Sequence, residues 1–168
     1  MNMTTKLSTV ISAAAAAAMV FAIPTAAQAQ YRQTISNNPA KCQSGGGKPA
    51  VWITINNVSA SRGTLRVQSY RGTSADWLKK GRWLSRIELP ARAGQMNVCM
   101  PVPEAGTYAI AIRHDLNGNG DTDLREDGGG MSNNPSINIF NLGKPSHTKT
   151  AFSVGNGVKS ITINMRYW

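Results

Sequence analysis

From Ala50 onwards, apolar residues recur at every second position. Val51, Ile53 and Ile55 form one run, Leu65 and Val67 a second, and Met96, Val98, Met100 and Val102 a third. Tyr108, Ile110 and Ile112 follow, and Ile161, Ile163, Met165 and Tyr167 close the chain. A period of two puts such side chains on one face of a half-buried strand. Turn-forming clusters at Ser61-Arg62-Gly63, Ala93-Gly94, Glu104-Ala105-Gly106 and Gly155-Asn156-Gly157 separate the runs. With Trp83 to Leu89 and Ala151 to Val154 added, the pattern predicts an all-β domain over residues 50–168, a single antiparallel β-sandwich of about seven strands packed as two sheets. Helix is expected at most for one or two turns across Ser74 to Lys79, with Ser74 as N-cap.

Before Ala50 the pattern is different. Lys6 precedes an apolar run from Val10 to Ile23, then Pro24 and the small-residue motif Ala27-Gln28-Ala29. This is the layout of a secretory signal peptide over residues 1–29. At fourteen residues the run is shorter than the ~20 that an apolar helix needs to span a bilayer. A mature chain with no transmembrane segment, exported to the periplasm or the extracellular space, is the expectation. Residues 30–49 show no apolar period and carry Asn37-Asn38-Pro39 and Gly45-Gly46-Gly47-Lys48-Pro49, which reads as a flexible N-terminal arm. One feature gives it a reason to be ordered, namely Cys42. The chain holds two cysteines, and in an exported protein an even count argues for a Cys42–Cys99 disulfide. Cys99 is out of phase with Val98 and Met100, so it should face away from their core, where the arm could cover it. Two buried free thiols are the alternative. A bond would close a long loop, for which chain entropy gives ~4 kcal/mol at most.

The charge is uneven. Eighteen Lys and Arg oppose eight Asp and Glu, a formal +10, yet Asp115, Asp121, Asp123, Glu126 and Asp127 crowd into thirteen residues. Counted from Asp115, oxygen side chains fall at positions 1 (Asp115), 3 (Asn117), 5 (Asn119), 9 (Asp123) and 12 (Glu126), with Gly120 at 6 and Asp121 at 7. A twelve-residue calcium loop has this spacing, because a hard cation takes many oxygens and the glycine makes the bend. The flanks differ from an EF-hand: a strand precedes Asp115 and glycines follow Glu126. Calcium binding is one reading. The other is a loop whose Asn and Asp side chains bond their own backbone, with Arg113 and Arg125 offsetting the acids.

Several separated motifs occur in order: Gly106-Thr107-Tyr108-Ala109-Ile110, His114-Asp115, Asn117-Gly118-Asn119-Gly120, Asp123, Ser132-Asn133-Asn134, Pro145, Ala151-Phe152 and Arg166-Tyr167. Together they resemble an uncharacterised secreted bacterial family labelled as domain of unknown function 2141. The resemblance covers about Ala50 to Tyr167. It implies an extracytoplasmic sandwich in the style of immunoglobulin or transthyretin folds and supplies no activity. The chain departs from that pattern at Asp127-Gly128-Gly129-Gly130-Met131, where a glycine and aromatic residues are expected.

Catalytic chemistry has thin support. One constellation, His114 with Asp115 and Ser132, could in principle form a base, an orienting carboxylate and a nucleophile. No glycine-flanked nucleophile turn surrounds Ser132. In phase with Ile110 and Ile112, His114 reads instead as a rim histidine pinning the acidic loop, and no catalytic residue is assigned. Lys79, Lys80, Arg82 and Arg86 lie within ten residues together with Trp77 and Trp83. Such a segment suits anionic envelope polysaccharide or lipid headgroups, and export disfavours nucleic acid. The plainer reading buries Trp77 and Leu84 and leaves the cations to solvate a sheet edge. The sequence therefore points to an exported non-catalytic binding or structural domain, with an accessory envelope hydrolase near His114 as the alternative.

Overall fold

A computed structural model describes residues 31–43, 48–123, 125–137 and 143–167. The signal-peptide expectation for 1–29 lies outside the described residues. Among the described residues nine strands form: β1 (Gln33–Thr34), β2 (Ala50–Val58), β3 (Thr64–Arg71), β4 (Ser85–Pro90), β5 (Gly94–Pro101), β6 (Gly106–Asp115), β7 (Gly128–Met131), β8 (Phe152–Val154) and β9 (Val158–Asn164). The larger sheet runs β1-β4-β3-β6-β7, with β8 also on β6, and the smaller runs β5-β2-β9. Among the described residues no helix is long and apolar enough to cross a membrane.

The seven expected strands are all present; two extra ones correct the count, and two parallel pairs correct the antiparallel expectation. β1 is two residues of the arm, parallel to β4. β7 is Gly-Gly-Gly-Met, which carries no apolar alternation to betray a strand. A second parallel pair arises where β9, the last strand, lies beside β2 with Ile53 opposite Ile161. Both sheets are therefore mixed.

The alternation works as read. Val51, Ile53 and Ile55 of β2, Leu65 and Val67 of β3, Val98 and Met100 of β5, Tyr108, Ile110 and Ile112 of β6 and Ile163 of β9 join one buried core shared by the two sheets. Burying each such side chain is worth ~1.5–3 kcal/mol against the entropy of ordering it. A smaller cluster of Tyr70, Trp77, Trp83, Ala109, Met131 and Ile137 covers part of the outer face of the large sheet. Trp77 anchors it by donating from Nε1 to the Pro145 carbonyl at 2.8 Å. The segment expected to turn helically across Ser74 to Lys79 makes one bond four residues back, Trp77 N–H to Thr73 O at 3.0 Å, beside tighter turns from Asp76 N–H to Thr73 O at 3.3 Å and Lys79 N–H to Asp76 O at 3.0 Å. It stops there because Leu78 and Gly81 take φ of 53° and 74°. A leucine in this left-handed region is strained by ~1–3 kcal/mol.

The arm is not a free tail where it is described. β1 joins the sheet, and Tyr31 and Ile35 pack against the core. Cys42, at the end of a 3-10 turn over Pro39–Cys42, bonds Cys99 with Cα atoms 5.7 Å apart. Asn37 adds a second tie, since its side-chain amide accepts from Cys99 N–H at 3.0 Å and donates to Asn97 O at 3.2 Å along the open side of β5. Asn134 does the same for β9, accepting from Asn164 N–H at 2.7 Å and donating to Thr162 O at 2.9 Å. One asparagine thus occupies each edge of the small sheet, where unpaired backbone groups would otherwise invite another strand.

The glycines of β7 have a steric reason. A Cβ on Gly128 would sit 2.2 Å from Tyr167 Cε1, and one on Gly130 would sit 2.8 Å from Ile163 Cγ2. The C-terminal segment therefore crosses β7 on its inner side, and Gly129 pairs with Arg166 through mutual 2.9 Å backbone bonds.

Candidate functional site

His114 lies one residue before the end of β6 on its inner face and is fully buried, not on the rim as its place near a strand end suggested. Its Nε2 lies 2.8 Å from the Arg62 carbonyl and its Nδ1 lies 2.7 Å from Tyr167 Oη. The carbonyl can only accept, so Nε2 carries a proton. Tyr167 Oη accepts Ser59 N–H at 3.0 Å and, opposite a neutral imidazole, donates to Nδ1. Both ring nitrogens are spent on the fold. Ser132 is equally buried: Oγ donates to Thr150 O at 2.6 Å and accepts Ile110 N–H at 3.0 Å. Its partner Ile110 lies four residues from His114 along β6, about 13 Å at strand rise. His114, Asp115 and Ser132 are not assembled as a triad.

The acidic loop leaves β6 at Asp115, which is buried and turned to the outer side. Its carboxylate accepts Gly118 N–H at 2.8 Å and Gly120 N–H at 2.9 Å, and meets Arg113 Nη2 at 3.3 Å. Arg113 also donates to Gly120 O at 2.7 Å and Thr122 Oγ1 at 2.8 Å, fastening the loop to the sheet. Asp127 closes the loop by accepting Leu116 N–H at 3.2 Å and Asp123 N–H at 3.0 Å. Across the loop, Asn117 Nδ2 donates to Asp123 Oδ2 and Glu126 Oε2, each at 3.1 Å, and Asn119 Nδ2 donates to Asp123 Oδ2 at 2.7 Å. These two amides hold the Asp123 carboxyl below the usual aspartate value. The side chains at positions 3, 5, 9 and 12 thus converge. Asp121 is exposed, and its backbone N–H binds Asn119 Oδ1 at 2.8 Å. Among the described residues no three His, Cys, Asp or Glu side chains gather as around a metal; the convergence is of two carboxylates with two amides.

The basic segment divides in two. Lys79 and Lys80 are exposed. Arg82 is held 2.6 Å from buried Asp76 and lies over the Tyr31 ring at 4.3 Å. Arg86 stacks on Trp83 at 4.3 Å, on the outer face of the large sheet. Trp77, Trp83 and Leu84 are all buried, as the plainer reading of that stretch expects for Trp77 and Leu84.

That outer face carries a cluster that sequence reasoning did not single out as a site. The register puts Arg66 opposite both Glu88 and Arg113, and Gln68 opposite both Arg86 and Ala111. Burial and then the Arg66 charge push Arg86 below the usual arginine value, with Arg113 adding to the effect. Beside them runs a groove of about 250 Å³, bordered by Arg66, Arg113, Leu78, Met131 and Lys144. The signal was available in the phase: Arg66 falls between Leu65 and Val67, and Arg113 alternates with Ile110 and Ile112, so both must face away from the core.

Residues 53–162 match the model of a family described as an uncharacterized protein conserved in bacteria, DUF2141. No curated protein and no solved structure matches the chain.

Proposed function

Because the chain belongs to this bacterial family, whose description assigns no activity, we propose that it is an exported, non-catalytic binding domain whose acidic loop is ordered by calcium. In this reading its two sheets form a sandwich in the immunoglobulin or transthyretin manner. The observation that carries it is the convergence of Asn117, Asn119, Asp123 and Glu126 at contacts of 2.7 to 3.1 Å. Oxygen donors suit a hard cation, and turning the two amides over would present their oxygens once these give up the Asn119 and Asp121 N–H groups they accept here. Asp115 keeps lone pairs beyond those given to Gly118 and Gly120. Bound calcium would offset the mutual repulsion of the five acids. The leader-like residues 1–29 and the Cys42–Cys99 bond support export to the periplasm or beyond.

The partners proposed are anionic envelope polysaccharide or lipid headgroups, met by exposed Lys79 and Lys80 with Arg82 and Arg86 behind them. An accessory envelope hydrolase near His114 has weaker support, since His114 and Ser132 spend their polar atoms on the fold. Hydrolysis of ester or peptide substrates that disappears with His114→Ala in a still-folded protein would restore it.

Thermal unfolding in 10 mM calcium against chelator tests the loop. Extracellular calcium modules bind at about 0.1–1 mM, so linkage predicts roughly 1.5–3 kcal/mol of added stability, seen as a rise of several degrees. Asp123→Asn with Glu126→Gln should abolish the rise. An unchanged Tm in the wild type refutes calcium ordering and leaves a self-bonded loop.

A further inference from the structure

Arg66 and Arg113 face each other directly across β3 and β6 on the outer side of the large sheet. Like charges so placed repel, and here the nearby carboxylates do not use up the donors. Glu88 takes Nε of Arg66 at 2.5 Å, whereas on Arg113 Nη2 meets Asp115 at 3.3 Å and Gly120 O at 2.7 Å and Nη1 meets Thr122 Oγ1 at 2.8 Å. Nε of Arg113, like that of Arg86, is buried and has no acceptor among the described residues. A buried charged donor left unmatched is a costly feature that calls for an explanation. Lys144 stands exposed at the rim of the same groove, outside every ion pair among the described residues. The two acids bordering it already hold donors: the Asn117 and Asn119 amides on Asp123, and the Leu116 and Asp123 N–H groups on Asp127.

The rest of the wall is apolar, from Leu78, Ala111 and Met131. Leu78 is held there with φ of 53°, a strained backbone of the kind that gathers at ligand sites. At about 250 Å³ the groove is just under the usual range for small-molecule sites and holds the volume of about eight waters.

We propose that this groove binds a small amphiphilic anion, its carboxylate or phosphate head set among Arg66, Arg113 and Lys144 and its short apolar body against Leu78, Ala111 and Met131. Guanidinium forks match such oxyanions in shape as well as charge. This site is separate from the exposed Lys79 and Lys80 and does not depend on calcium in the loop.

Calorimetry on the folded chain with hexanoate and hexyl phosphate, against hexanol and hexylamine, tests it. The expected result is saturable one-to-one binding of at least one anionic probe, with hexanol and hexylamine at least tenfold weaker. The tighter of the two anions names the head group. Arg66→Gln or Lys144→Gln should weaken that probe at least fivefold, while Lys79→Gln with Lys80→Gln leaves it unchanged. Lys144 is exposed, so its variant tests the site even if Arg66→Gln disturbs the sheet. Failure of both anions to bind, equal binding of hexylamine, or affinity unmoved by both Arg66→Gln and Lys144→Gln would overturn the proposal.

Discussion

Replacing Gly128 with alanine adds one methyl group to β7 and should cost far more than a methyl group usually does. The new Cβ would lie 2.2 Å from Cε1 and 2.6 Å from Cζ of Tyr167, so the ring must leave. Overpacking of this kind costs ~1–3 kcal/mol. Displacing the ring also removes the 2.7 Å bond to His114 and the 3.0 Å bond from Ser59, leaving Nδ1 of a fully buried histidine unsatisfied at a further ~1–3 kcal/mol. The sum is about 2–6 kcal/mol for Gly128→Ala. In a Tyr167→Ala background the obstructing ring is absent, and the same change should be neutral or stabilise by ~0.4–1 kcal/mol through the unfolded chain. Urea unfolding of the four proteins gives the coupling, expected at about 2 kcal/mol or more. Equal cost of Gly128→Ala in both backgrounds would refute the reasoning that Tyr167 makes this strand glycine.

Other consequences follow from single contacts. Replacing Cys42 and Cys99 together by alanine releases a pair 57 positions apart, so urea unfolding should show a loss of at most ~4 kcal/mol, reduced by whatever β1 and Asn37 retain. Asn37→Ala and Asn134→Ala should each open one edge of the small sheet, lowering stability by ~1 kcal/mol and raising self-association measured by light scattering. Trp77→Phe removes the donor to Pro145 O and should cost ~1–2 kcal/mol, read from the thermal unfolding curve. Asp123 titrates below an ordinary aspartate because Asn117 and Asn119 donate to it. Its folded value lies under its unfolded value, so its stabilising effect is present above roughly pH 4 and is lost as pH falls through the folded value. An NMR titration should find the depressed carboxyl, and Asn117→Ala with Asn119→Ala should restore it to the ordinary value.

The period of two and the turn clusters were enough to identify a β-rich domain, seven of its strands and the inward residues of β2, β3, β5, β6 and β9. Those are local properties: which face of a strand is apolar depends on residues two apart. Likewise the acidic loop was visible as a run, because its spacing is internal to twelve residues. What lay beyond reach needed partners distant in the chain. β7 is a strand because β6 offers it backbone groups and the C-terminal segment fills the space its glycines leave, and nothing in Gly-Gly-Gly-Met announces either. The parallel course of β9 beside β2 and the docking of the arm through β1 and Asn37 depend on how long connections return. His114 shows the limit most clearly, since its phase with Ile110 and Ile112 suggested a rim histidine, and its full burial by Tyr167 and Arg62 came from residues 53 and 52 positions away. The arginine groove has the same origin, because sequence phase places Arg66 and Arg113 on the outer face, but the strand register alone sets them opposite each other.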